Sequence, residues 1–491
     1  MSNIDVPGHT NSADDGFPGD LLIDLHPVRG RGLRQRLEHG LRSAIQEQRL
    51  VPGATLPPTR VLAAELGISR SVVVEAYDNL AADGYLEARQ GSGTRVRADV
   101  PAAAAAAPAD NARGGQAGFF AAPRRTLQLR APIRLLGGLP DPALFPRRDW
   151  VRHYRAALAA LPDPALGYPD MRGAEPLRVA MAAYLGRVRG VATAPERVLV
   201  CAGVTQGLTL TCRALARAGV SRIAIEDPCF GMHREAIAMT GVRPVPVPVD
   251  ADSLDPARLD DLEVGAVLVA PAHSYPTGAV LDARRRRDLV SWARRRDALI
   301  IEDDYDAEFR YDRVPVGALQ GLAPERVVYI GSASKTVTPA LRLGWVAAPS
   351  GLNDRLEREK HVDDMGSSLL EQLAFARFVD SGDFARFLRR VRPIYRERRN
   401  AMIAALADLL PGARWQGAAA GLHLHVTLPD GVDEQAVTFA AFQRGVLVED
   451  AAWHWSRPDE APPSIVLGYG SCGEPAIRRG IALVAEALAA A

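Results

Sequence analysis

Lys335 stands in Ser332-Ala333-Ser334-Lys335, seven residues before Arg342, and is one of only two lysines among the 59 lysines and arginines of this 491-residue chain. Arginine has replaced lysine as the general surface cation. An amine kept against that trend is most simply one that must lose its proton, because a guanidinium stays charged at any ordinary pH whereas an ammonium can become a nucleophile toward a carbonyl. The other lysine, Lys360, lies in Arg355-Leu356-Glu357-Arg358-Glu359-Lys360, which reads as a solvated helical face.

Further groups fall in order around Lys335. Ile300-Ile301-Glu302-Asp303-Asp304-Tyr305 sets carboxylates at the carboxyl end of an apolar run, where α/β sheets assemble their sites. A carboxylate there can pair with a pyridine nitrogen and keep it protonated, which makes the ring an electron sink; Asp303 is the residue expected to do so. A phosphate needs backbone amides at a helix start plus a cation. Ala202-Gly203-Val204-Thr205-Gln206-Gly207 follows the run Val198-Leu199-Val200 and opens a helical stretch, and Ser332, Ser334 and Arg342 complete the cradle. A flat ring also takes an aromatic face, which Phe230 in Glu226-Asp227-Pro228-Cys229-Phe230 supplies one strand later.

These groups need a scaffold that brings strand ends together. After Ile133 short apolar runs (Val198-Leu199-Val200, Ile223-Ala224-Ile225, Ala266-Val267-Leu268-Val269, Leu299-Ile300-Ile301, Val327-Val328-Tyr329-Ile330) alternate with helix-length amphipathic stretches. Such runs suit strands buried on both faces of a mainly parallel sheet. The amino-terminal part differs. Gly32–Leu50 has helical periodicity in Leu33, Leu37, Leu41 and Ile45 and stops at Pro52-Gly53. Pro57-Pro58-Thr59-Arg60 opens a second helix, Gly67 turns, and Ser69-Arg70-Ser71 caps a third that runs to about Asp83, which is helix-turn-helix spacing. Gly84–Arg89 and Thr94–Arg97 flank Gln90-Gly91-Ser92-Gly93 as a two-stranded wing. Phosphate and base-edge contact asks for arginines and hydroxyls at helix starts and on a wing. Arg60, Ser69, Arg70, Ser71, Arg89, Arg95 and Arg97 supply them.

Composition sets the limits. A formal charge of +1 gives no global attraction to nucleic acid or membrane, so a DNA partner must be met by a local patch. Cys201, Cys212, Cys229 and Cys472 have neither metal-ligand nor disulfide-framework spacing; no metal is expected, and a cytoplasmic location is. No apolar run reaches the roughly 18 residues that span a bilayer, so no membrane partner is expected. The alanine- and proline-rich stretch of residues 99–131 reads as a flexible linker between a domain at 21–98 and another at 132–491, the latter split into a large part at about 165–370 and a small one at about 371–491.

Leu56-Pro57-Pro58-Thr59-Arg60-Val61-Leu62-Ala63, Ser69-Arg70 and Gly91-Ser92-Gly93-Thr94 resemble the GntR family of bacterial winged-helix regulators, in which the positions of Arg60 and Arg70 touch DNA. Val74, where many of that family carry arginine, and Ala76-Tyr77 look like its MocR/GabR subgroup. The order of Gly-rich turn, aromatic, Pro-Thr-Gly, acidic strand end, Ser-x-Ser-Lys and Arg resembles fold-type I aminotransferases from Gly137 to Ala489. The resemblance implies a multidomain chain, an α-rich winged helix-turn-helix plus an α/β fold-type I domain that binds pyridoxal 5'-phosphate. It further implies that Lys335 forms the Schiff base, Asp303 faces the pyridine nitrogen, Tyr305 the ring hydroxyl, and Tyr168 the phosphate of a neighbouring subunit in a homodimer.

Two positions depart from the aminotransferase pattern. Tyr275 replaces the asparagine before Pro-Thr-Gly, and Val466 in Ser464-Ile465-Val466-Leu467-Gly468-Tyr469 replaces the arginine that grips a substrate α-carboxylate. Loss of such a charge-assisted pair costs about 2–3 kcal/mol of binding. The expected function is therefore a regulator that binds double-stranded operator DNA and senses pyridoxal phosphate, alone or with an amine or amino-acid effector. The alternative is an active aminotransferase with an accessory DNA-binding domain.

Overall fold

The computed structural model describes residues 32–46, 49–89, 93–98, 131–251, 253–311 and 316–490. Linker positions 99–130, wing residues 90–92 and positions 21–31 of the expected first domain lie outside them. The chain divides into two compact units after residue 116.

The first unit holds helices α1 (Leu33–Gln46), α2 (Thr59–Leu66) and α3 (Arg70–Ala82) and the antiparallel strands β1 (Leu86–Arg89) and β2 (Gly93–Val96). Leu37, Leu41, Ile45, Leu62, Val73, Tyr77 and Leu80 make its core, which is why the first helix carries apolar residues four apart in the sequence. Gly67 takes a left-handed φ of 64°, and its amide closes α2 on Ala63 and Ala64, so the chain turns at once into α3. Ser69 occupies the N-cap position, but its hydroxyl meets Ser71 Oγ at 3.0 Å and caps no backbone amide.

The second unit begins with β3 (Ile133–Arg134), followed by α4 (Arg147–Ala160), α5 (Glu175–Arg189), β4 (Val198–Cys201), α6 (Val204–Arg217), β5 (Arg222–Asp227), α7 (Gly231–Met239), β6 (Arg243–Pro248), β7 (Ala266–Val269), α8 (Ala283–Arg295), β8 (Leu299–Asp304), β9 (Val327–Ser332) and β10 (Gly344–Ala347). The seven long strands form one sheet in the order β4-β10-β9-β8-β7-β5-β6. The sheet is mainly parallel, as expected, with one reversed strand: β10 runs antiparallel to both β4 and β9 because the turn after Arg342 brings it straight back beside β9. Non-consecutive neighbours mark crossovers, and all the parallel strands end on one side.

The chain then continues through α9 (Ser350–Asp364), α10 (Leu369–Asp380), α11 (Asp383–Leu409), β11 (Arg414–Gln416), β12 (His423–Thr427), α12 (Glu434–Gln443), β13 (Val446–Leu447), β14 (Glu449–Asp450), β15 (Ser464–Gly468) and α13 (Glu474–Leu488). A smaller antiparallel sheet has the order β11-β12-β15-β14, and β13 pairs with β3. The segment leaving β3 runs so close to β15 that a Cβ on Gly468 would lie 1.8 Å from the Leu136 carbonyl. Glycine at 468 thus permits residues 135–138 to pass over the site.

Lys360 does not lie on a solvated face. It is 0% exposed, and its Nζ donates to both Asp364 carboxylate oxygens and to Ser367 Oγ. The charged helix α9 packs on α6, where Asp363 and Asp364 both accept from Gln206.

Candidate functional site

The carboxyl ends of β5, β7 and β8 converge on one pocket. Ile225, Glu226, Cys229, Phe230, His233, Leu268, Val269, Ala270, Tyr275, Asp303 and Tyr305 line it. On β8 the side chains alternate, which separates two neighbouring carboxylates. Asp304 accepts from Arg189 Nε at 2.8 Å and Tyr329 Oη at 2.7 Å, a neutralised buried pair. Asp303 is 5% exposed, and its Oδ1 has no hydrogen-bond partner among the described residues. The nearest cationic candidate for Oδ2 is His233 Nε2 at 3.7 Å, beyond hydrogen-bond reach. Burial, then Asp304 and Asp306, push the Asp303 carboxyl well above the ordinary range. Burial and Lys335 hold the His233 imidazole down at about 4, so it brings no charge to Asp303 at neutral pH.

Lys335 lies in the turn after β9. Burial lowers its pKa, against the pull of Asp306, Glu449 and Asp303. Gly138, at φ 65°, passes beside it, and a Cβ there would lie 3.2 Å from Nζ. The amine is thus flanked by bare backbone.

The expected phosphate cradle is brought together. Gly203, at φ 112°, precedes α6, so the free amides at Val204 and Thr205 and the helix dipole face outward. The Arg342 guanidinium stands over it, 3.7 Å from where a Cβ of Gly203 would be. Ser332 is buried at the end of β9, and its Oγ accepts from the Ser334 amide at 3.4 Å. Tyr168, by contrast, is 82% exposed in a single chain.

Both Phe230 and Tyr275 lie at the pocket. Phe230 lines the pocket and meets His233 and Tyr275 edge-on. The Tyr275 hydroxyl is engaged with the protein, Oη donating to Glu449 Oε2 at 2.8 Å. Tyr305 Oη lies 3.2 Å from His273 Nδ1, which also meets Asp306 Oδ2 at 2.9 Å. Burial, Asp306 and Asp303 raise the Tyr305 pKa far above its usual value, so it is a neutral phenol.

Glu449, His454, His273, Asp306 and Gly138 were not singled out as site residues. His273 and Asp306 flank Tyr275 and Tyr305 at two-residue and one-residue distance, a signal that local spacing carried. Glu449 and His454 come from the far end of the chain through strand pairing. The segment Ala451–Ser456 reaches the site because Asp227 accepts from the Ser456 amide at 2.8 Å and the Cys229 amide donates to the His454 carbonyl at 3.1 Å.

In the first unit Arg60, Ser69, Arg70 and Ser71 are exposed at the starts of α2 and α3. Arg70 Nε reaches Thr59 Oγ1 at 3.4 Å, so the two helix starts share one surface. Arg95 is half-buried on β2 with an unpartnered Nε, and Arg89 ends β1.

Comparison with known proteins agrees with both units. Residues 145–451 match the family described as aminotransferase class I and II, and residues 33–96 match the bacterial regulatory proteins of the gntR family. The HTH-type pyridoxine biosynthesis transcriptional regulator PdxR of Corynebacterium glutamicum is 33% identical over 471 residues, 96% of this chain and 99% of its own. The probable rhizopine catabolism regulatory protein MocR of Rhizobium meliloti is 33% identical, covering 91% of this chain and 92% of its own. Kynurenine aminotransferase of Pyrococcus horikoshii, solved with PMP, superposes with a TM-score of 0.69 at 25% identity over 74% of this chain and 93% of its own.

Proposed function

The chain belongs to the GntR-family transcriptional regulators that carry an aminotransferase class I and II domain, and from that premise we propose that occupancy of Lys335 by pyridoxal phosphate sets how the winged helix engages operator DNA. The carrying observation is Asp303. A buried carboxylate with an oxygen lacking any partner costs free energy unless a ligand supplies one. The residues fit pyridoxal phosphate: Asp303 for its ring nitrogen, Gly203, Val204, Thr205, Ser332, Ser334 and Arg342 for its phosphate, and Lys335 for its aldehyde. The cofactor supplies an aldehyde and an electron-withdrawing ring. The chain supplies an amine whose lowered pKa increases its neutral, nucleophilic share. Phe230 and Tyr275 wall the ring, and Tyr305 lies within the same pocket.

Pyridoxal phosphate itself is the first signal in this proposal, and control of vitamin B6 supply is the favoured role, supported by the printed name of the Corynebacterium glutamicum relative and by Val466 in place of an arginine clamp. An amine is the second input. Arg60, Ser69, Arg70, Ser71, Arg89 and Arg95 are proposed to meet double-stranded DNA. The exposure of Tyr168 supports a homodimer in which it completes the partner's phosphate site. No helix among the described residues is long and apolar enough to cross a membrane, and DNA as target supports a cytoplasmic location.

The test is a titration with pyridoxal phosphate followed by visible absorbance and by gel shift on the chain's own upstream DNA. Lys335→Ala abolishes the visible band and makes DNA binding indifferent to the cofactor. A retained band, or wild-type DNA binding that ignores pyridoxal phosphate, overturns the proposal.

A further inference from the structure

Val466, where an arginine clamp would stand, is flanked across the small sheet by two polar residues. It pairs with His425 on β12 and with Glu449 on β14, and directly paired residues present their side chains on one face. That face meets the pocket, because Val466 packs with Tyr275, Tyr305 and Phe230. Glu449 is 5% exposed and accepts from Tyr275 Oη at 2.8 Å and from His454 Nε2 at 3.1 Å.

Neither donor neutralises it. Burial and Glu449 raise the Tyr275 pKa, so Tyr275 stays a neutral donor. His454 accepts at Nδ1 from the Gly231 amide at 3.3 Å and donates at Nε2 to Glu449, which is the pattern of the neutral tautomer. No lysine or arginine pairs with Glu449 among the described residues. Against the ring of Tyr275, 4.6 Å between centroids, His423 donates through Nε2 to the Pro276 carbonyl at 3.1 Å, which leaves its buried Nδ1 as an acceptor without a donor among the described residues. His423 and His425 bring no charge either, since burial holds the first well below its usual pKa and the second at about 4. The wall facing the lysine therefore offers a negative charge and an unused acceptor.

We propose that this wall, Glu449 paired across the sheet with Val466 and His423 against Tyr275, makes the site selective for amines that carry no carboxylate, and best for those with a second ammonium group. It rests on pyridoxal phosphate occupying Lys335. A carboxylate brought here would meet Glu449 with no cation between them, and a like-charge contact in a buried site is strongly unfavourable. An ammonium meets an ionised acceptor instead, a contact that is strong when desolvated.

The test uses the full-length, pyridoxal phosphate-loaded protein and calorimetric titration with 1,4-diaminobutane, butylamine, 4-aminobutanoate and alanine. The expected order of affinity is diamine, then monoamine, then either amino acid, with diamine and 4-aminobutanoate about 10-fold to 100-fold apart. Glu449→Gln should shrink that ratio by at least about tenfold; because the result is a ratio of two ligands on one protein, a general loosening of the site cancels. Equal or tighter binding of the amino acids by the wild-type protein overturns the proposal, and so does a ratio unmoved in Glu449→Gln. If the visible band forms and none of the four ligands binds, the ligand class is refuted while the cofactor assignment stands. If no band forms on adding pyridoxal phosphate, the cofactor assignment itself has failed.

Discussion

Asp303→Asn should act with opposite sign on the empty and the loaded protein. In the empty protein Asp303 is a desolvated carboxylate with one orphaned oxygen, beside Asp304 and Asp306. Replacing the carboxylate with an amide of the same shape leaves a buried polar group but removes a desolvated charge and its repulsion from Asp304 and Asp306, worth about 1–3 kcal/mol. The unfolding midpoint of the aminotransferase-like unit rises by a few degrees. In the loaded protein the same change removes a charge-assisted bond to the ring nitrogen, which weakens cofactor affinity about 10-fold to 100-fold. The pH dependence has a definite sign. A carboxyl whose folded pKa is raised above its unfolded value of about 4 leaves the folded state holding more protons, so stability falls as pH climbs from about 4 toward the folded value. Asp303→Asn flattens that fall in the empty protein. Calorimetric melts of empty and loaded protein across pH 4 to about 8, with cofactor titrations, read all three effects. An empty variant that melts no higher than wild type, with cofactor affinity intact, would refute the role given to Asp303.

Arg70→Ala removes a guanidinium from the exposed start of α3 and should weaken operator binding by about 1–3 kcal/mol in gel shift or anisotropy, with the cofactor band untouched. Loss of the cofactor band in that variant would contradict two separable units. Lys360→Ala breaks a buried ion pair whose acid, Asp364, is partly solvated, so denaturant melts should show a loss of about 2 kcal/mol. The visible band of that variant should persist if Lys335 carries the cofactor as proposed.

Local motifs made much of this molecule legible. Gly67 and the apolar period of α1 to α3 specify their geometry within a few residues, and the strand runs of the large sheet are apolar because both faces are buried. Ser332, Lys335 and Arg342 could be grouped because a single strand end and turn carries them. Two other features depend on long-range register. Glu449 faces Val466 only through β14–β15 pairing, and nothing within a few residues of either position announces it. The antiparallel β10 was hidden because its apolar run reads the same in either direction. Lys360 misled for a third reason: a run of charges resembles a wetted face, yet Asp364 one turn on and Ser367 satisfy the amine while α6 covers it.

The burial of Lys360 also decides how the protein meets reactive aldehydes. Pyridoxal phosphate condenses with any accessible amine, and on most proteins a scatter of surface lysines blurs the signal from the specific site. Here one of the two lysine side chains is wholly enclosed and the other is Lys335 itself, so apart from the chain's amino terminus the sequence offers no competing amine. Absorbance per chain therefore counts occupied sites directly, and borohydride reduction should tag one peptide, the one that contains Lys335.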